Sequence, residues 1–379
     1  MLAMDAADRP LMTLDEALAA LEEVLPVPTT PGIHADRDDP ALDLSSMDGL
    51  AVRAEDGRRL RRFVGTCFAG QDPSGLRVDP GTGVRIMTGA ALPAGADAVV
   101  PVEDLEETDG GWIPRASPVP GAFVRRRGEQ ASAGTLLRQA GAPLTGPWIG
   151  LAAQVGRAFP ELRRLKVGIA STGDELCSAP APWQIRDANG PMLRALVHFL
   201  GADPVPLPPL PDDSDALAAF FRGHGDLEVV LTSGGVSLGE KDHVPRVLAS
   251  LGARQLFHRI RLKPGKPTLA ALLGRQVLLC LPGNPVSAYL NARIFLPTVL
   301  ARLAGQPVPR LWHSGALAES VANAGDRPLL HPCTVHQGLL HPLESRGSAD
   351  LVRLAHAQAC VWVPEGGLPA GPARYLEIL

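Results

Sequence analysis

The spacing of apolar positions changes several times along the chain, and each change marks a different kind of element. Thr13 precedes Leu14, Ala17, Leu18, Leu21 and Val24, with Glu16 three residues after the hydroxyl, which predicts a capped amphipathic helix ended by Pro26. From 26 to about 134 the apolar pieces are short and cut by Gly, Pro and Asp, at 50–52, 62–68, 84–87, 98–102, 112–114 and 122–125. That pattern predicts a small β domain. Residues 143–156, with Leu144, Trp148, Ile149, Leu151, Ala152 and Val155, return to a helical period, and 163–165 form a joint.

A different alternation begins at Lys166. Strand-like runs at 166–170, 204–207, 228–231, 256–262 and 276–281 are interleaved with helical patterns at 189–200, 214–221, 243–251 and 286–303. Such alternation predicts βαβ units and a mostly parallel sheet. From 307 to 379, Gly/Pro breaks and short apolar runs such as 359–363 predict a terminal β domain. The expected division is a helical linker domain at 1–40 and 134–164, a β domain at 41–133, an α/β domain at 165–305 and a C-terminal β domain at 306–379. A length of 379 residues suits several cores of roughly 70–150 residues each.

Composition narrows the function. Hydrophobic residues at 45% suffice for real cores, and a net charge of -4 gives no global attraction to nucleic acid or anionic lipid. The scarcity of aromatics (Phe 9, Trp 5, Tyr 2) argues against base-stacking platforms. The five cysteines contain no CxxC pair, which excludes a zinc knuckle of that kind. The first residues carry acids where a secretory signal has bases, and no apolar run reaches the ~20 residues of a membrane span, so a cytoplasmic chain is expected.

The candidate chemistry lies in loops that follow apolar runs. These are Ser171-Thr-Gly-Asp-Glu-Leu176, Thr232-Ser-Gly-Gly-Val-Ser-Leu-Gly-Glu-Lys-Asp242, Lys263-Pro-Gly-Lys-Pro267 and Leu281-Pro-Gly-Asn-Pro-Val-Ser287. Glycines let backbone amides approach an anion, lysines add point charges, and Glu240 and Asp242 offer hard oxygen ligands. In an open α/β sheet such loops meet beyond the carboxyl ends of the strands. Ser233-Gly-Gly-Val-Ser237 matches neither a Walker A loop nor GxGxxG and alone reads equally as a tight turn. Its setting between acidic and lysine loops favours a phosphorylated ligand with its metal. Arg58-Arg-Leu-Arg-Arg62 is expected to be a solvated face, and a lone His258 or His336 a surface or packed residue rather than a ligand.

These motifs, together with Ser45-Ser-Met-Asp-Gly49, Phe68-Ala-Gly-Gln71, Arg85-Ile-Met-Thr-Gly-Ala90 and Arg125-Arg-Arg-Gly-Glu129, resemble in order and kind the MoeA family, the molybdopterin molybdenumtransferases that include the gephyrin E domain. The resemblance covers nearly the whole chain. It implies a MoaB/MogA-like three-layer α/β domain, a β-rich lectin-like domain, a helical and extended linker domain and a C-terminal β-barrel-like domain. It implies insertion of molybdate into adenylylated molybdopterin with Mg2+-dependent release of AMP, in a homodimer with a composite active site supplied by a molybdopterin adenylyltransferase upstream.

Carried residue by residue, the resemblance gives Asp48, Thr88, Glu129, Glu175 and Asp242 catalytic roles, and Asp174, Glu175 and Asp242 a share in the metal. It gives substrate binding to Arg125, Arg126, Ser171, Thr172, Gly173, Asp187, Ser233, Gly234, Gly235, Val236, Ser237, Lys263, Lys266, Pro282, Gly283, Asn284, Pro285 and Ser348. The sequence departs from the family pattern where Gln130 replaces an Asp, Leu50 and His243 replace tyrosines, and the segment before Ser45 is shortened. Those departures keep open a paralogue that binds molybdopterin without turnover as carrier or regulator. A third reading, an adenylyltransferase of MoaB/MogA type, is disfavoured by the flanking β domains.

Overall fold

The structure, a computed structural model, describes residues 10–26, 31–142, 145–157, 164–237, 239 and 242–379. The chain divides into two compact units, Thr29–Phe159, and Met1–Pro28 with Pro160–Leu379. Arg163 of the joint expected at 163–165, Pro143 and Leu144 of the helix expected at 143–156, and the loop residues Leu238, Glu240 and Lys241 lie outside the described residues.

The larger unit is organised by a six-stranded sheet in the order Asp203–Pro206, Lys166–Ser171, Val229–Ser233, Gln276–Leu281, Leu269–Leu273, Arg254–His258. The first four strands are parallel, and Leu269–Leu273 runs against both of its neighbours. Parallel strands must be covered on both faces, which explains their almost uninterrupted apolar sequences. Val167, Ile169, Val229, Leu231, Val277 and Leu279 face one core, whereas Ala170, Val230, Leu278 and Cys280 face another. Helices Leu14–Val24, Asn189–Phe199 and Pro285–Ala304 contribute to the first core, and Ser214–Gly223 and Val244–Ser250 to the second, giving three layers.

The N-terminal helix is closed by the expected capping box: Glu16 N donates to Thr13 Oγ1 at 3.2 Å, and Thr13 N donates to Glu16 Oε2 at 2.8 Å. Its buried face, Leu14, Ala17 and Leu21, joins the core of the α/β sheet. Helix Pro285–Ala304 is buried at every position from 286 to 301, because the C-terminal barrel covers the side that the sheet leaves open. That barrel closes through five strands, in the order His313–Leu317, Leu339–Pro342, Leu329–His336, Ala359–Val363, Gly371–Glu377. Among the described residues no helix is long and apolar enough to cross a membrane.

Two sequence readings need revision here. The strand expected at 256–262 spans Arg254–His258 and stops where Arg259 takes a φ of 68°, a left-handed conformation that ends extended pairing. Strand Leu269–Leu273 has no counterpart in the sequence pattern, since its Leu-Ala-Ala-Leu-Leu sequence lacks the β-branched residues that mark strands.

The smaller unit holds a four-stranded sheet in the order Arg62–Cys67, Thr82–Ile86, Gly49–Val52, Ala98–Pro101. One face buries Ala51, Val84, Ile86 and Val99, and the other Leu50, Val52, Ala98 and Val100. The arginine run beside it is not wholly a solvated face. Arg61 is fully buried, and its guanidinium donates to the carbonyls of Arg59, Gly57 (2.9 Å) and Arg53 (3.5 Å), with Asp56 Oδ2 3.8 Å away. The carbonyls flanking the short helical turn Ala54–Asp56 converge on this guanidinium and accept its donors.

The tightest aromatic contact of the main core pairs Phe295 with Phe257, ring centroids 5.0 Å apart and both rings buried. Phe295→Ala is expected to destabilise the larger unit by about 3–5 kcal/mol. Urea unfolding followed by far-UV circular dichroism checks this, and an unchanged midpoint would contradict the packing described.

Candidate functional site

The strands of the larger unit end level with one another. Ser171 is paired with Ser233, and Ser233 with Leu281, so the chain leaves all three strands at one edge of the sheet. Leu269 lies beside Cys280, and His258 beside Leu269, so the lysine loop joining the last two of these strands is brought to the same edge.

The crossing loops are fastened by backbone groups. Thr172 N donates to Ser233 O at 2.8 Å, and Gly234 N to Leu281 O at 2.9 Å. Gly234 has φ 105°, and a Cβ there would lie 2.4 Å from Thr172 Oγ1 and 2.6 Å from Thr172 O. Only glycine fits this crossing. Val236 O accepts from His258 Nε2 at 2.9 Å, and burial holds the His258 imidazole below its usual pKa, so it is neutral at pH 7.

Beneath the loops runs a chain of small polar groups. Ser233 Oγ donates to Ser171 Oγ at 3.3 Å, Ser171 Oγ donates to Asp187 Oδ1 at 2.9 Å, and Gly190 N donates to the same oxygen at 3.0 Å. Asn189 Nδ2 donates to Gly283 O at 2.7 Å, while Asn189 Oδ1 is buried without a hydrogen-bond partner. These groups, with Thr172, Glu175 and Arg186, line a cleft of about 80 Å³. An unsatisfied buried amide oxygen at its wall is an acceptor placed for a ligand donor.

A larger pocket of about 390 Å³ opens beside it, lined by Lys263, Lys266, Pro282, Asn284, Arg327, His331, Ser345 and Ser348. Lys263 is held by the barrel, its N–H donating to Pro328 O at 2.9 Å and its carbonyl accepting from Leu330 N at 2.7 Å. Gly265 has φ 121°, and a Cβ there would meet Asn291 Nδ2 at 1.9 Å. Helix Pro285–Ala304 begins at this pocket, and Asn284 does not cap it but donates Nδ2 to Ser348 Oγ at 3.0 Å. Two lysines, an arginine and a helix N-terminus make this an anion site. Burial holds the His331 imidazole below its usual pKa there.

The expected residues thus sort into groups. Ser171, Thr172, Glu175, Asp187, Ser233, Gly283 and Pro285 share the small cleft, and Lys263, Lys266, Pro282, Asn284 and Ser348 the larger pocket. Ser237 meets Lys266 in a third hollow of about 100 Å³. Gly173, Gly234, Gly235 and Val236 line none of the three hollows; their backbone hydrogen bonds fasten the loops. Asp174 and Asp242 line none of these pockets: Asp174 Oδ1 accepts from Asp212 N at 3.2 Å, and Asp242 Oδ2 from Gly239 N at 2.8 Å. Glu240 lies outside the described residues. His243, standing where the family pattern has a tyrosine, holds Ser214 Oγ at 3.1 Å through Nδ1. Among the described residues no three His, Cys, Asp or Glu side chains gather as a ready cation cage. Sequence reasoning missed Asn189, Arg186, Arg327, His331 and Ser345. Asn189 stands one residue before a helical glycine and is readable, whereas Arg327 and His331 come from the barrel and carry no local motif.

The smaller unit presents its own polar cluster. Asp48 Oδ1 accepts from Thr88 N at 2.6 Å and from Thr88 Oγ1 at 2.7 Å. These bonds, the amide's first, with Arg85 nearby, hold the Asp48 carboxyl below the usual carboxylate range. Strand Val124–Arg125 pairs with Leu44–Ser45 and delivers the arginines. Glu129 accepts from Arg125 Nε at 3.1 Å and from Arg126 N at 2.8 Å. Arg126 Nη1 donates to Asp43 Oδ2 and Arg127 Nε to Asp38 Oδ2, each at 2.7 Å. The arginine run is therefore a matched set of ion pairs.

A three-layer α/β domain with glycine and lysine loops gathered over level strand ends has the architecture expected of a domain for phosphorylated small molecules. Residues 168–302 match the probable molybdopterin binding domain, and 7–156 match the MoeA N-terminal region, domains I and II. The molybdopterin molybdenumtransferase of Synechococcus elongatus is 37% identical over 304 residues, 74% of this chain and 73% of that protein. Molybdopterin molybdenumtransferase 2 of Mycobacterium tuberculosis is 34% identical over 361 residues, 89% of this chain and 88% of that protein. The crystal structure of a molybdopterin biosynthesis MoeA protein from Pyrococcus horikoshii superposes with a TM-score of 0.74 at 26% identity, over 97% of this chain and 99% of that one. The chain belongs to the MoeA family of molybdopterin molybdenumtransferases.

Gly234→Ala is expected to push the glycine loop off Thr172 and weaken binding of inorganic pyrophosphate tenfold or more, about 1.4 kcal/mol. Isothermal titration, with circular dichroism as a folding control, checks it. Unchanged affinity would remove this loop from the anion site.

Proposed function

We infer that this protein acts in molybdenum-cofactor biosynthesis as a molybdopterin molybdenumtransferase, taking adenylylated molybdopterin and molybdate and releasing AMP. The observation that carries the reading is the pair of contiguous hollows at one sheet edge, one hydroxyl- and amide-lined, the other cationic. A phosphorylated ligand bearing a pyrophosphate needs that combination. Lys263 and Lys266 neutralise phosphate charge, the hydroxyls of Ser171 and Ser233 line the smaller hollow, and Asp187 with Asn189 takes up donors of the ligand. No observation favours the carrier or adenylyltransferase readings.

Mg2+ fits the chemistry of the available oxygens. Asp174, Glu175 and Asp242 are hard ligands but form no closed cage, so the ion would be completed by substrate phosphates, as is usual for this metal. When bound it offsets charge on the pyrophosphate as the AMP departs. The side chains themselves position and neutralise. Asp48, kept ionised by Thr88, is proposed to act with Glu129 as the acidic counterpart contributed by the smaller unit.

The test is to incubate the purified protein with adenylylated molybdopterin, Mg2+ and molybdate, following AMP release and metal insertion. AMP release coupled to molybdate is expected; binding without release would leave the carrier reading in its place. In the same assay Lys266→Ala should raise KM about tenfold with a smaller change in kcat, and Asp242→Asn should lower kcat more than it raises KM. The reverse pattern would exchange the two roles.

We also propose that the two units of the site come from different copies of the chain in a homodimer. Mixing Asp48→Asn and Lys266→Ala proteins after dissociation and reassociation should then raise activity at limiting substrate above that of either variant alone, because one hybrid site contains neither substitution. Absence of rescue in verified heterodimers would assign both halves to one chain.

A further inference from the structure

One neutral side chain of the smaller unit stands between two charges. The groups around Gln130 assign the orientation of its amide: with the oxygen turned to Arg125 it accepts from Nη2 at 2.7 Å, and the NH2 then donates to Asp39 Oδ2 at 3.0 Å. The backbone doubles the link, with Gln130 N donating to Asp39 O at 3.0 Å and Asp39 N to Ala131 O at 2.8 Å. Gln154, at the end of helix Gly146–Gln154, donates Nε2 to the same Asp39 oxygen. Arg125 is also held by Glu129, to which Nε donates at 3.1 Å. Asp39, Gln130, Arg125 and Glu129 thus form one continuous row of carboxylate, amide, guanidinium and carboxylate.

We propose that Asp39, acting through Gln130, is a positioning residue that aims the Arg125 guanidinium at an anionic group of the substrate. The proposal rests on the reading of Arg125 as a substrate contact. A guanidinium carries five donors in a rigid plane, and two bonds on different nitrogens fix that plane. Nη1 takes part in neither bond, so its hydrogens point along the direction that the row has set. Position 130 has to accept on the Arg125 side and donate on the Asp39 side, which an amide does and a carboxylate does not. A carboxylate at 130 would satisfy Arg125 but stand about 3 Å from the Asp39 carboxylate, where like charges oppose each other. On the Gln130 side of the arginine the negative charge therefore sits at Asp39, one side chain further away than a carboxylate at position 130 would put it, while Glu129 pairs with Arg125 directly.

The test is a double-mutant cycle on the full-length protein, reading KM for adenylylated molybdopterin, kcat and Tm. Gln130→Glu should raise KM about tenfold with kcat within about twofold, because the two carboxylates separate and Arg125 swings out of line. Adding Asp39→Asn should bring KM back to within about threefold of the parent, since an amide at position 39 can donate to a carboxylate at position 130 that in turn accepts from Arg125. Equal Tm for single and double variants would separate aim from folding. An unchanged KM in Gln130→Glu, or a double variant no better than the single, overturns the proposal, as does an Arg125→Ala variant with unaltered KM. If the parent protein shows no turnover, the transferase reading fails separately. The same three variants are then compared by their dissociation constants for adenylylated molybdopterin, where the same rescue is expected and its absence again overturns the relay.

Discussion

The site depends on three parallel strands finishing at the same height. Ser171, Ser233 and Leu281 stand side by side, so three loops leave the sheet within hydrogen-bonding reach of one another. Their first bonds are mutual: Thr172 to Ser233, Gly234 to Leu281. A slip of one residue in any of these pairings would turn the strand's apolar side chains to the wrong core and carry its loop out of reach. The fit of alternate strand positions to two separate cores is what forbids that slip. Packing far from the ligand thus sets the geometry beside it.

The legible part of the fold is the part dictated by local sequence. Val229 to Leu231 and Val277 to Leu281 are apolar throughout because both sheet faces are covered, and Gly-Gly or Pro-Gly follows each because the loop must cross close to its neighbour. The N-terminal helix is readable from Thr13 and Glu16, but its partner is not, since an amphipathic face does not say which core receives it. Leu269–Leu273 is hidden because leucine and alanine favour no single element and the strand is specified by its antiparallel neighbours. Arg61 misleads for a related reason. An arginine amid arginines looks solvated until one sees the carbonyls that it satisfies.

At the site, Ser171, Ser233, Lys263 and Lys266 are visible because glycine, proline and charge cluster around them. Arg327 and His331 are not, because their importance comes from where the chain returns to. The acids of the smaller unit show a similar limit. The family resemblance singles out Asp48 and Glu129, but only coordinates show that Thr88 holds one below the usual carboxylate range and Arg125 engages the other. Gln130, which from sequence looks like a lost acid, is a connecting amide between a cation and an anion.

The seam between the lysine loop and the barrel carries a consequence for modularity. Lys263 is stitched on both sides to residues of the C-terminal domain, Pro328 and Leu330, and Arg327 enters the same cationic pocket. An α/β domain excised at Gly305 would retain every glycine and lysine motif of the anion site, yet its lysine loop would lose the scaffold that holds one edge. In this chain the motifs and the binding capacity are therefore separable properties. The barrel is a tensioning frame for a loop that belongs, by sequence, to another domain.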